Sequence, residues 1–437
     1  MTRRRPVKAR RPRAAPPGPS QVFEARIETI GAKGDGVAAG PDGPVFVPYT
    51  APGDLVRVEA VGERGDMVAL LEPGPDRAAP PCPHYGACGG CALQHLTADA
   101  YRALKRDALR AALAAAGLDP PLAPFLALPP GERRRATFHV RRRAGATGAT
   151  PAMGFYARRS RRVVESWPCL VLHPDFARAE APLRALAAAA PAAWDAFSMA
   201  VTRFDAGFDV DLRSTRPLAE PGPAEIAALA EAAPAANVQR LSIAGDPLVT
   251  FAAPTVRFDG LAVAPPPGGF LQASERADAA LLAAVRDGLG AARRVADLFS
   301  GCGTFALPLA RARRVDAFDS DGPAIDALAA AASAVPGRLT ARRRDLFDRP
   351  LGADELAAYN AVVLDPPRAG APAQVKAIAA AGDRAPARLV YVSCNPKSFA
   401  RDARILVDSG YALTHAAPVD QFVYAAHLEV VAAFVRG

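Results

Sequence analysis

The stretch Asp297-Leu-Phe-Ser-Gly-Cys-Gly-Thr304 decides the fold of this 437-residue chain. It follows a run of strand character, RRVADLF, and precedes a predicted helix that begins near Thr304. Its glycines let the backbone approach a ligand with no Cβ in the way. The next predicted strand, RVDAFD, ends at Phe318-Asp319, where a carboxylate can accept hydrogen bonds from a ribose diol. The spacing to Asp319 is shorter than in the dinucleotide fingerprint and the third glycine is absent, so the pattern favours a single adenosine group over NAD.

Strands and helices alternate in the chain after Phe270. The runs YNAVVLDPP, ARLVYVSCN and HLEVVAAF are separated by helical stretches, which indicates βαβ units and a doubly wound parallel sheet. Ligands bind at the carboxyl ends of such strands, where this chain carries SGCGT, DPPR and SCNP. Asp345, in RRRDLF, follows the third strand and is a candidate contact to adenine. On these residues alone, a flavodoxin-like domain without a nucleotide is the alternative.

Asp365 begins the sequence DPPR directly after a run typical of a buried strand. Two prolines cannot continue a central strand, so the carboxylate is expected at the strand end, facing the crevice. DPP also occurs in enzymes that methylate exocyclic amines, but those usually place an aromatic residue after it to stack on the base. Arg368 stands there in this chain and argues against amine methylation.

Cys394 lies where another strand breaks off at a proline, in Val-Ser-Cys-Asn-Pro. A cysteine in an apolar strand is more often an inert core residue, but this one lies at the sheet edge predicted to carry Asp365. Glu429 opens the last apolar strand and is a candidate base. Cys302 is the competing thiol; it lies inside the glycine loop, where it would collide with a cofactor, and a structural role is predicted for it.

A thiol and a carboxylate near a sulfonium donor point to methylation of uracil at carbon 5. That carbon is too weakly nucleophilic to take a methyl group directly, so a thiolate must first add to carbon 6 and generate an enolate. After methyl transfer, a base removes the proton from carbon 5 and the thiolate leaves.

Five segments together resemble the S-adenosylmethionine-dependent RNA uracil-5-methyltransferase family. They are Phe270-Leu-Gln272, DLFSGCGTF, DPPR, SCNP and HLE, in the family's order. The resemblance implies that Cys394 is the nucleophile and Glu429 the proton acceptor. It also implies an S-adenosylmethionine site formed by Gln272, Phe299, Thr304, Asp319, Asp345 and Asp365.

The chain departs from the family at two places. Thr304 stands where members usually have Asn, and its shorter hydroxyl is expected to lose a contact to the cofactor. The segment Phe422-Val-Tyr-Ala-Ala-His427 stands where members usually read Phe-Pro-x-Thr-x-His. This second departure leaves the catalytic pair intact but weakens any inference about which uridine is bound.

The predicted fold class is α/β: a doubly wound class I methyltransferase domain, similar to a Rossmann fold, preceded by a small barrel and an α+β central domain. A basic, flexible tail is expected over residues 1–19. Alternating runs predict an OB-like barrel over 20–73, which resembles the family's RNA-binding TRAM domain. The central domain spans 74–258 and the methyltransferase domain 259–437. A helix over 97–117 is a candidate for packing on the catalytic domain.

Three cysteines lie close together in the sequence CPHYGACGGC, at Cys82, Cys88 and Cys91, and Cys169 is the natural fourth. Four thiolates are a full ligand set for zinc or for a 4Fe-4S cluster, and the spacing alone favours neither. The resemblance favours the cluster, because the rRNA branch of the family has this pattern and binds 4Fe-4S.

Positive charge is concentrated at two places. The chain carries a net charge of +9, and seven of its basic residues lie within the first 13 positions. Ten arginines lie between Glu132 and Arg162, with His139, Phe155 and Tyr156 among them. On strands, these arginines would present a basic face to phosphates or unpaired bases; a solvated edge strand is the alternative.

These features predict a monomeric cytoplasmic enzyme that makes 5-methyluridine in RNA. No apolar run approaches the roughly 18 to 20 residues that span a bilayer, and no secretory signal is recognisable. The four-cysteine set favours 23S rRNA over tRNA as the substrate. The rival from another class is a non-catalytic RNA-binding or Fe-S assembly factor, which would not need Cys394 for its function.

Overall fold

The computed structural model describes residues 19–142, 150–215 and 219–437. Apart from Pro19, the predicted tail lies outside these residues, as does Arg143 of the arginine run. The chain divides into two compact units. One runs to Ala79 and includes His95–Thr97, and the other contains Pro80–Gln94 and Ala98–Gly437. No helix in the described ranges has the length and apolar character needed to cross a membrane.

The first unit contains a closed five-stranded barrel, in the order β1-β2-β3-β5-β4. Alternate residues point inward, as the period-2 pattern predicts; in β4, Val56, Val58 and Ala60 are buried. The predicted small β-barrel is therefore confirmed. Its strands are β1 (Gln21–Ile30), β2 (Gly36–Gly40), β3 (Gly43–Val47), β4 (Leu55–Val61) and β5 (Arg64–Glu72).

The first half of the second unit contains a seven-stranded sheet, ordered β13-β12-β11-β10-β7-β8-β9. Its core includes Phe138, Phe176, Leu186 and Trp194. The elements are α1 (Ala98–Ala115), β6 (Leu126–Ala127), β7 (Arg135–Arg141), β8 (Ala152–Tyr156), β9 (Val163–Val164), α2 (Pro174–Arg178), α3 (Glu180–Ala189), β10 (Ala196–Phe204), β11 (Gly207–Arg213), α4 (Pro223–Ala232), β12 (Val238–Ile243), β13 (Asp246–Thr250), β14 (Val256–Phe258) and β15 (Leu261–Val263).

The second half of this unit is an eight-stranded sheet, ordered β18-β17-β16-β19-β20-β22-β21-β6. The five strands from β18 to β20 are parallel to one another, and β22 is antiparallel to both of its neighbours. The elements are α5 (Glu275–Leu289), β16 (Arg294–Leu298), α6 (Ala306–Leu309), β17 (Arg314–Asp319), α7 (Gly322–Ala331), β18 (Leu339–Arg343), α8 (Ala353–Leu356), β19 (Ala361–Leu364), α9 (Pro372–Ala380), β20 (Arg388–Ser393), α10 (Pro396–Asp408), β21 (Ala412–Asp420) and β22 (Glu429–Val435).

Helices cover both faces of this sheet, so its strands are buried on both sides. In β19, Val362 and Leu364 belong to one core, together with residues of α9 and α10. Ala361 and Val363 belong to the other core, together with residues of α5, α6 and α7. Two cores on opposite faces are the arrangement of a doubly wound sheet, which confirms the predicted architecture.

Helix α1 and strand β6, although early in the sequence, also belong to this part of the molecule. Leu109 and Leu113 of α1 lie in the same core as α9 and α10. Strand β6 pairs in parallel with the end of β21, with Leu126 opposite Val419. The helix therefore packs on the sheet that carries the candidate active site.

Candidate active site

A cavity of about 670 Å³ lies at the carboxyl ends of the parallel strands β16, β17, β19 and β20. This is the edge at which a doubly wound sheet binds its ligands. The structure brings together here seven of the eight side chains that the sequence proposed for catalysis and cofactor binding. They are Gln272, Phe299, Thr304, Asp319, Asp365, Cys394 and Glu429.

Asp345, the eighth proposed residue, lies outside the lining of this cavity. Its carboxylate accepts a hydrogen bond of 2.9 Å from the backbone N–H of Phe347, and the Phe347 ring does line the cavity. That ring is 43% exposed, and its centroid lies 5.4 Å from that of Phe299. The two rings form an apolar wall suited to a flat base, so Asp345 shapes the turn that carries Phe347.

The glycine loop after β16 is held by its own backbone conformation and by Asp319. Gly301 has a φ of +52°, in the left-handed region that favours glycine. Its N–H donates to Oδ2 of Asp319 at 2.9 Å. A Cβ on Gly303 would lie 2.3 Å from Cδ1 of Leu328 on α7, so the second glycine is required for packing. Phe299 also has a positive φ, of 64°, a conformation that costs a non-glycine residue about 1 to 3 kcal/mol.

A hydrogen-bonded network of buried side chains connects two carboxyl groups across the cavity. The Gln421 amide donates to Oε2 of Glu429 at 2.7 Å and to Oε1 of Gln272 at 2.8 Å. Gln272 in turn donates to Oδ2 of Asp365 at 3.2 Å. All four side chains line the cavity. The network places the candidate base and the candidate cofactor residues in a single arrangement.

Burial changes the protonation of both carboxyl groups. It raises the pKa of Asp365 to about 7, with a further contribution from the negative charge of Asp319. It raises the pKa of Glu429 well above the usual value, and the charge of Asp365 adds to this, whereas the hydrogen bond from Gln421 opposes it. A carboxylate with a raised pKa is a stronger base, which suits Glu429 to accept a proton.

Cys394 lies directly after β20, and its loop is tied to the DPPR loop. Asn395, the N-cap of α10, donates from its side chain to the carbonyl of Arg368 at 3.0 Å, and Ser398 donates to the same carbonyl at 3.0 Å. Burial and, to a smaller extent, the charge of Glu429 raise the pKa of the Cys394 thiol to about 11, although the charge of Arg368 opposes the rise. The free thiol is therefore mostly protonated at neutral pH.

Cys302, the competing thiol, lies in the glycine loop and is 3% exposed. Burial raises the pKa of its thiol to about 12. Its Sγ lies 4.0 Å from the carbonyl oxygen of Phe270. These surroundings agree with the structural role predicted for it.

Gln421 is a residue of the site that the sequence motifs did not predict. Asp420, next to Gln421, is buried and pairs with Lys105 of α1. Lys105 also donates to the carbonyl of Phe422 at 3.1 Å, and the Tyr101 hydroxyl accepts from the backbone N–H of Tyr424 at 2.9 Å. Helix α1 therefore holds the chain on both sides of Gln421.

The arginine run divides among several environments and does not form one basic face. Arg134 is buried and pairs with Asp278 of α5 at 2.7 Å. Arg142 donates to backbone carbonyls at the end of α3. Arg133 and Arg135 line the cavity. Arg159, Arg161 and Arg162 are exposed.

A second pocket, of about 340 Å³, is lined by the four cysteines proposed as ligands, Cys82, Cys88, Cys91 and Cys169. Burial and, to a smaller extent, the charges of the three other cysteines raise the pKa of the Cys91 thiol to about 12, although a hydrogen bond with Gln94 opposes the rise. Within the ranges that the structure covers, no group of three or more His, Cys, Asp or Glu side chains is arranged to hold a metal ion.

Comparison with known proteins places these features in a family. Residues 340–436 match the family model described as tRNA (Uracil-5-)-methyltransferase. The chain is 43% identical over 421 residues to an RNA methyltransferase of Caulobacter vibrioides named as uncharacterized, covering 94% of this chain and 99% of that protein. It is 34% identical over 457 residues to a 23S rRNA (uracil(1939)-C(5))-methyltransferase of Chromohalobacter salexigens, covering 94% of this chain and 88% of that protein.

A solved structure matches the fold over nearly the whole chain. It is that of the Pyrococcus abyssi tRNA (uracil-54, C5)-methyltransferase in complex with S-adenosyl-L-homocysteine. The TM-score is 0.71 at 24% identity, with 94% of this chain and 99% of that chain covered. The likeness confirms the class I methyltransferase fold with its preceding OB-like barrel.

Proposed function

This chain belongs to the S-adenosylmethionine-dependent RNA uracil-5-methyltransferase family, and from that premise we propose that it methylates a uridine of 23S rRNA through a covalent intermediate on Cys394. The observation that carries the proposal is the convergence of Cys394, Glu429 and Asp365 on one cavity at the carboxyl edge of the sheet. An RNA-binding protein without catalysis has no need of this combination.

The proposed reaction uses one thiol and one carboxylate of the chain. The Cys394 thiolate adds to carbon 6 of the uracil, and the electrons of the double bond move to form an enolate. Carbon 5 then takes the methyl group, Glu429 accepts the proton from carbon 5, and the bond between sulfur and carbon 6 breaks. The products are 5-methyluridine and the demethylated cofactor, and the proton released from carbon 5 passes through Glu429 to solvent.

The residues around the cavity fit an adenosine-bearing sulfonium ligand. S-adenosylmethionine supplies an activated methyl group when it is bound. Asp319 ends β17 with a carboxylate held by the glycine loop, which suits a ribose diol. Phe299 and Phe347 form an apolar wall, and the raised pKa of Asp365 is expected to fall beside a positive charge. We assign these residues, with Gln272 and Thr304, to the cofactor.

RNA contact is proposed for the region between the cavity and the cysteine pocket. Arg133, Arg135 and Arg368 line both, and arginines are suited to bind phosphates. The barrel segment 20–73, by contrast, carries nine acidic and four basic side chains. Attraction of the RNA backbone is therefore assigned to the arginines and not to the charge of the barrel. The target uridine must leave its stack to reach Cys394.

We propose that the pocket lined by the four cysteines holds a 4Fe-4S cluster. A tetrahedral zinc ion, with bonds to sulfur of about 2.3 Å, draws its ligands to within roughly 4 Å of each other. A 4Fe-4S cluster also takes four thiolates, the pocket is lined by all four cysteines, and the rRNA branch that this chain resembles has this four-cysteine pattern and binds 4Fe-4S. The donor set and the pocket therefore favour the cluster.

The choice of 23S rRNA over tRNA rests on the four cysteines and on the relative that is 34% identical. The test is to map 5-methyluridine in rRNA and tRNA from cells with and without the gene. We expect one or more 23S rRNA sites to lose the methyl group, to regain it with the wild-type gene and not with Cys394→Ala. Loss of the methyl group from tRNA alone would show that tRNA, and not 23S rRNA, is the substrate. No loss from either RNA would overturn the proposal.

A further inference from the structure

Gln421 is 5% exposed and makes three hydrogen bonds that fix the orientation of its amide. The backbone N–H of Ala273 can only donate, and it lies 3.0 Å from the Gln421 oxygen. The amide nitrogen must therefore face the other way, where it donates to Glu429 at 2.7 Å and to Gln272 at 2.8 Å. The full donor capacity of this amide is used inside the active site.

The orientation of Gln421 fixes that of Gln272. Because the Gln272 oxygen accepts from Gln421, its amide nitrogen is left to donate to Asp365, at 3.2 Å. The backbone of Gln272 is held as well, since its carbonyl accepts from Arg134 at 3.1 Å. Every hydrogen bond of the network therefore points the same way: Ala273 donates to Gln421, Gln421 donates to Glu429 and Gln272, and Gln272 donates to Asp365.

We propose that Gln421 is a positioning residue that holds the Glu429 carboxylate as a proton acceptor and aligns Gln272 in the cofactor site, so that the two halves of the reaction are coupled. The proposal rests on the function proposed above. Its chemistry is that of a buried anion: a carboxylate without a donor is unstable in an apolar site and takes the neutral form instead. A neutral Glu429 cannot accept the proton from carbon 5.

Loss of this donor therefore acts on a late step. Addition of Cys394 and methyl transfer come before proton removal, so a variant of Gln421 still forms the adduct but resolves it slowly. The hydrogen bond involves a charged group, whose loss slows resolution by about ten- to a hundredfold. Misalignment of Gln272 removes one neutral contact to the cofactor, an effect of about fivefold on affinity.

The test is Gln421→Met, with Gln374→Met as the matched control. Gln374 is fully buried on α9, and its amide bonds only to the backbone of Leu351, at 2.9 and 3.2 Å. Both variants replace a buried amide with a thioether of similar size. Each is incubated with S-adenosylmethionine and an unmethylated transcript containing the mapped uridine, and the covalent RNA–protein adduct is followed on denaturing gels. Affinity for S-adenosylhomocysteine is measured by calorimetry.

A transcript carrying 5-fluorouridine separates this proposal from the proposed function. Fluorine at carbon 5 cannot be removed by a base, so the adduct persists whatever the state of Glu429. If the wild type traps no adduct on this transcript, or Cys394→Ala traps as much, the proposed function fails. If the wild type traps the adduct and Cys394→Ala does not, the proposed function stands, and the result for Gln421→Met then tests only the positioning role of Gln421.

We expect Gln421→Met to trap the fluorinated transcript as the wild type does, and to accumulate adduct on the ordinary transcript, which is also the result expected of Glu429→Gln. We also expect about fivefold weaker binding of S-adenosylhomocysteine, and none of these effects in Gln374→Met. Turnover that falls with no adduct on the ordinary transcript would overturn the proposal. If Gln421→Met does not fold, Gln421→Asn is used; it keeps the amide but is too short to reach Ala273 and Glu429 together, and the same criteria apply.

Discussion

Replacing Lys105 with methionine is expected to destabilise the second unit by about 3 to 5 kcal/mol. Lys105 and Asp420 form an ion pair in which both residues are almost completely buried, at 2% and 1% exposure. Methionine fills a similar volume but leaves the Asp420 carboxylate without its cation. The Tyr101 hydroxyl still donates to Asp420, so the loss is expected near the lower end of that range.

A double variant separates the contribution of the ion pair from that of the helix packing. Changing both residues, as in Lys105→Met with Asp420→Leu, removes the buried charge as well and is expected to restore most of the stability. The remainder comes from the Tyr101 hydroxyl, which still accepts from the Tyr424 N–H but loses Asp420 as its acceptor, at a cost of about 1 kcal/mol. Lys376→Met on α9 is the control, because this lysine is exposed and its loss is expected to change stability by less than about 0.5 kcal/mol.

Urea unfolding followed by tryptophan fluorescence measures these differences. The chain has two tryptophans, Trp167 and Trp194, and both lie in the second unit, so the signal does not report the barrel. A loss below about 1 kcal/mol for Lys105→Met, or a double variant less stable than either single one, would refute the account of a buried, mutually dependent pair.

Four further predictions concern the active site and the cysteine pocket. Because the pKa of Cys394 is raised to about 11, the rate at which iodoacetamide alkylates it should rise about tenfold for each pH unit from about 7 to about 9. Peptide mass spectrometry measures this rate, which should be lower in Arg368→Met. A rate that reaches a plateau between these pH values would contradict the prediction. The pKa of Asp365 is raised to about 7, so ionisation of this carboxyl lowers the stability of the fold as pH rises from about 4 to about 7. Asp365→Asn should therefore melt at a higher temperature than the wild type at about pH 8, and the two melting temperatures should converge below about pH 4. The same variant should bind S-adenosylhomocysteine more weakly than the wild type. Anaerobically purified protein should contain iron and sulfide and absorb visible light, and Cys88→Ala should lose the iron, the sulfide and the absorbance. Stoichiometric zinc in the wild type would rule out the cluster. Thr304→Asn should bind S-adenosylhomocysteine about fivefold more tightly in calorimetry through one added hydrogen bond, and unchanged or weaker binding would show that no such contact is available.

The sequence was most informative where strands end. SGCGT, DPPR and SCNP interrupt apolar runs with residues that a central strand cannot hold, and parallel strands bring such ends to one edge. This is why the doubly wound sheet and the grouping of Asp365 with Cys394 could be predicted. The place of α1 could be predicted only as a candidate, because its partner Asp420 lies 315 residues from Lys105 and leaves no local signal.

The misses have a common physical cause. Gln421 bonds to Gln272, 149 residues earlier, and nothing near it in the sequence distinguishes it from a solvated glutamine. The arginine run gave the opposite error, since local charge predicted one exposed face. Burial of Arg134 against Asp278 depends on where α5 packs, which the run itself does not encode. Asp345 follows its strand as predicted and accepts a hydrogen bond from the backbone of Phe347, and its contact to adenine stays a prediction.

The energetic state of Glu429 argues against the non-catalytic rival. The carboxyl is 3% exposed, and burial raises its pKa well above the usual value, so its anion is held at a cost in stability. A protein that only binds RNA gains nothing from that cost, and Glu429→Leu would leave its function intact. A uracil-5-methyltransferase needs a strong base in a dry site at the moment when carbon 5 carries both a methyl group and a proton. The same substitution should therefore arrest the reaction of this chain with the RNA bound covalently to Cys394, and release of 5-methyluridine by this variant at the wild-type rate would remove Glu429 from the mechanism.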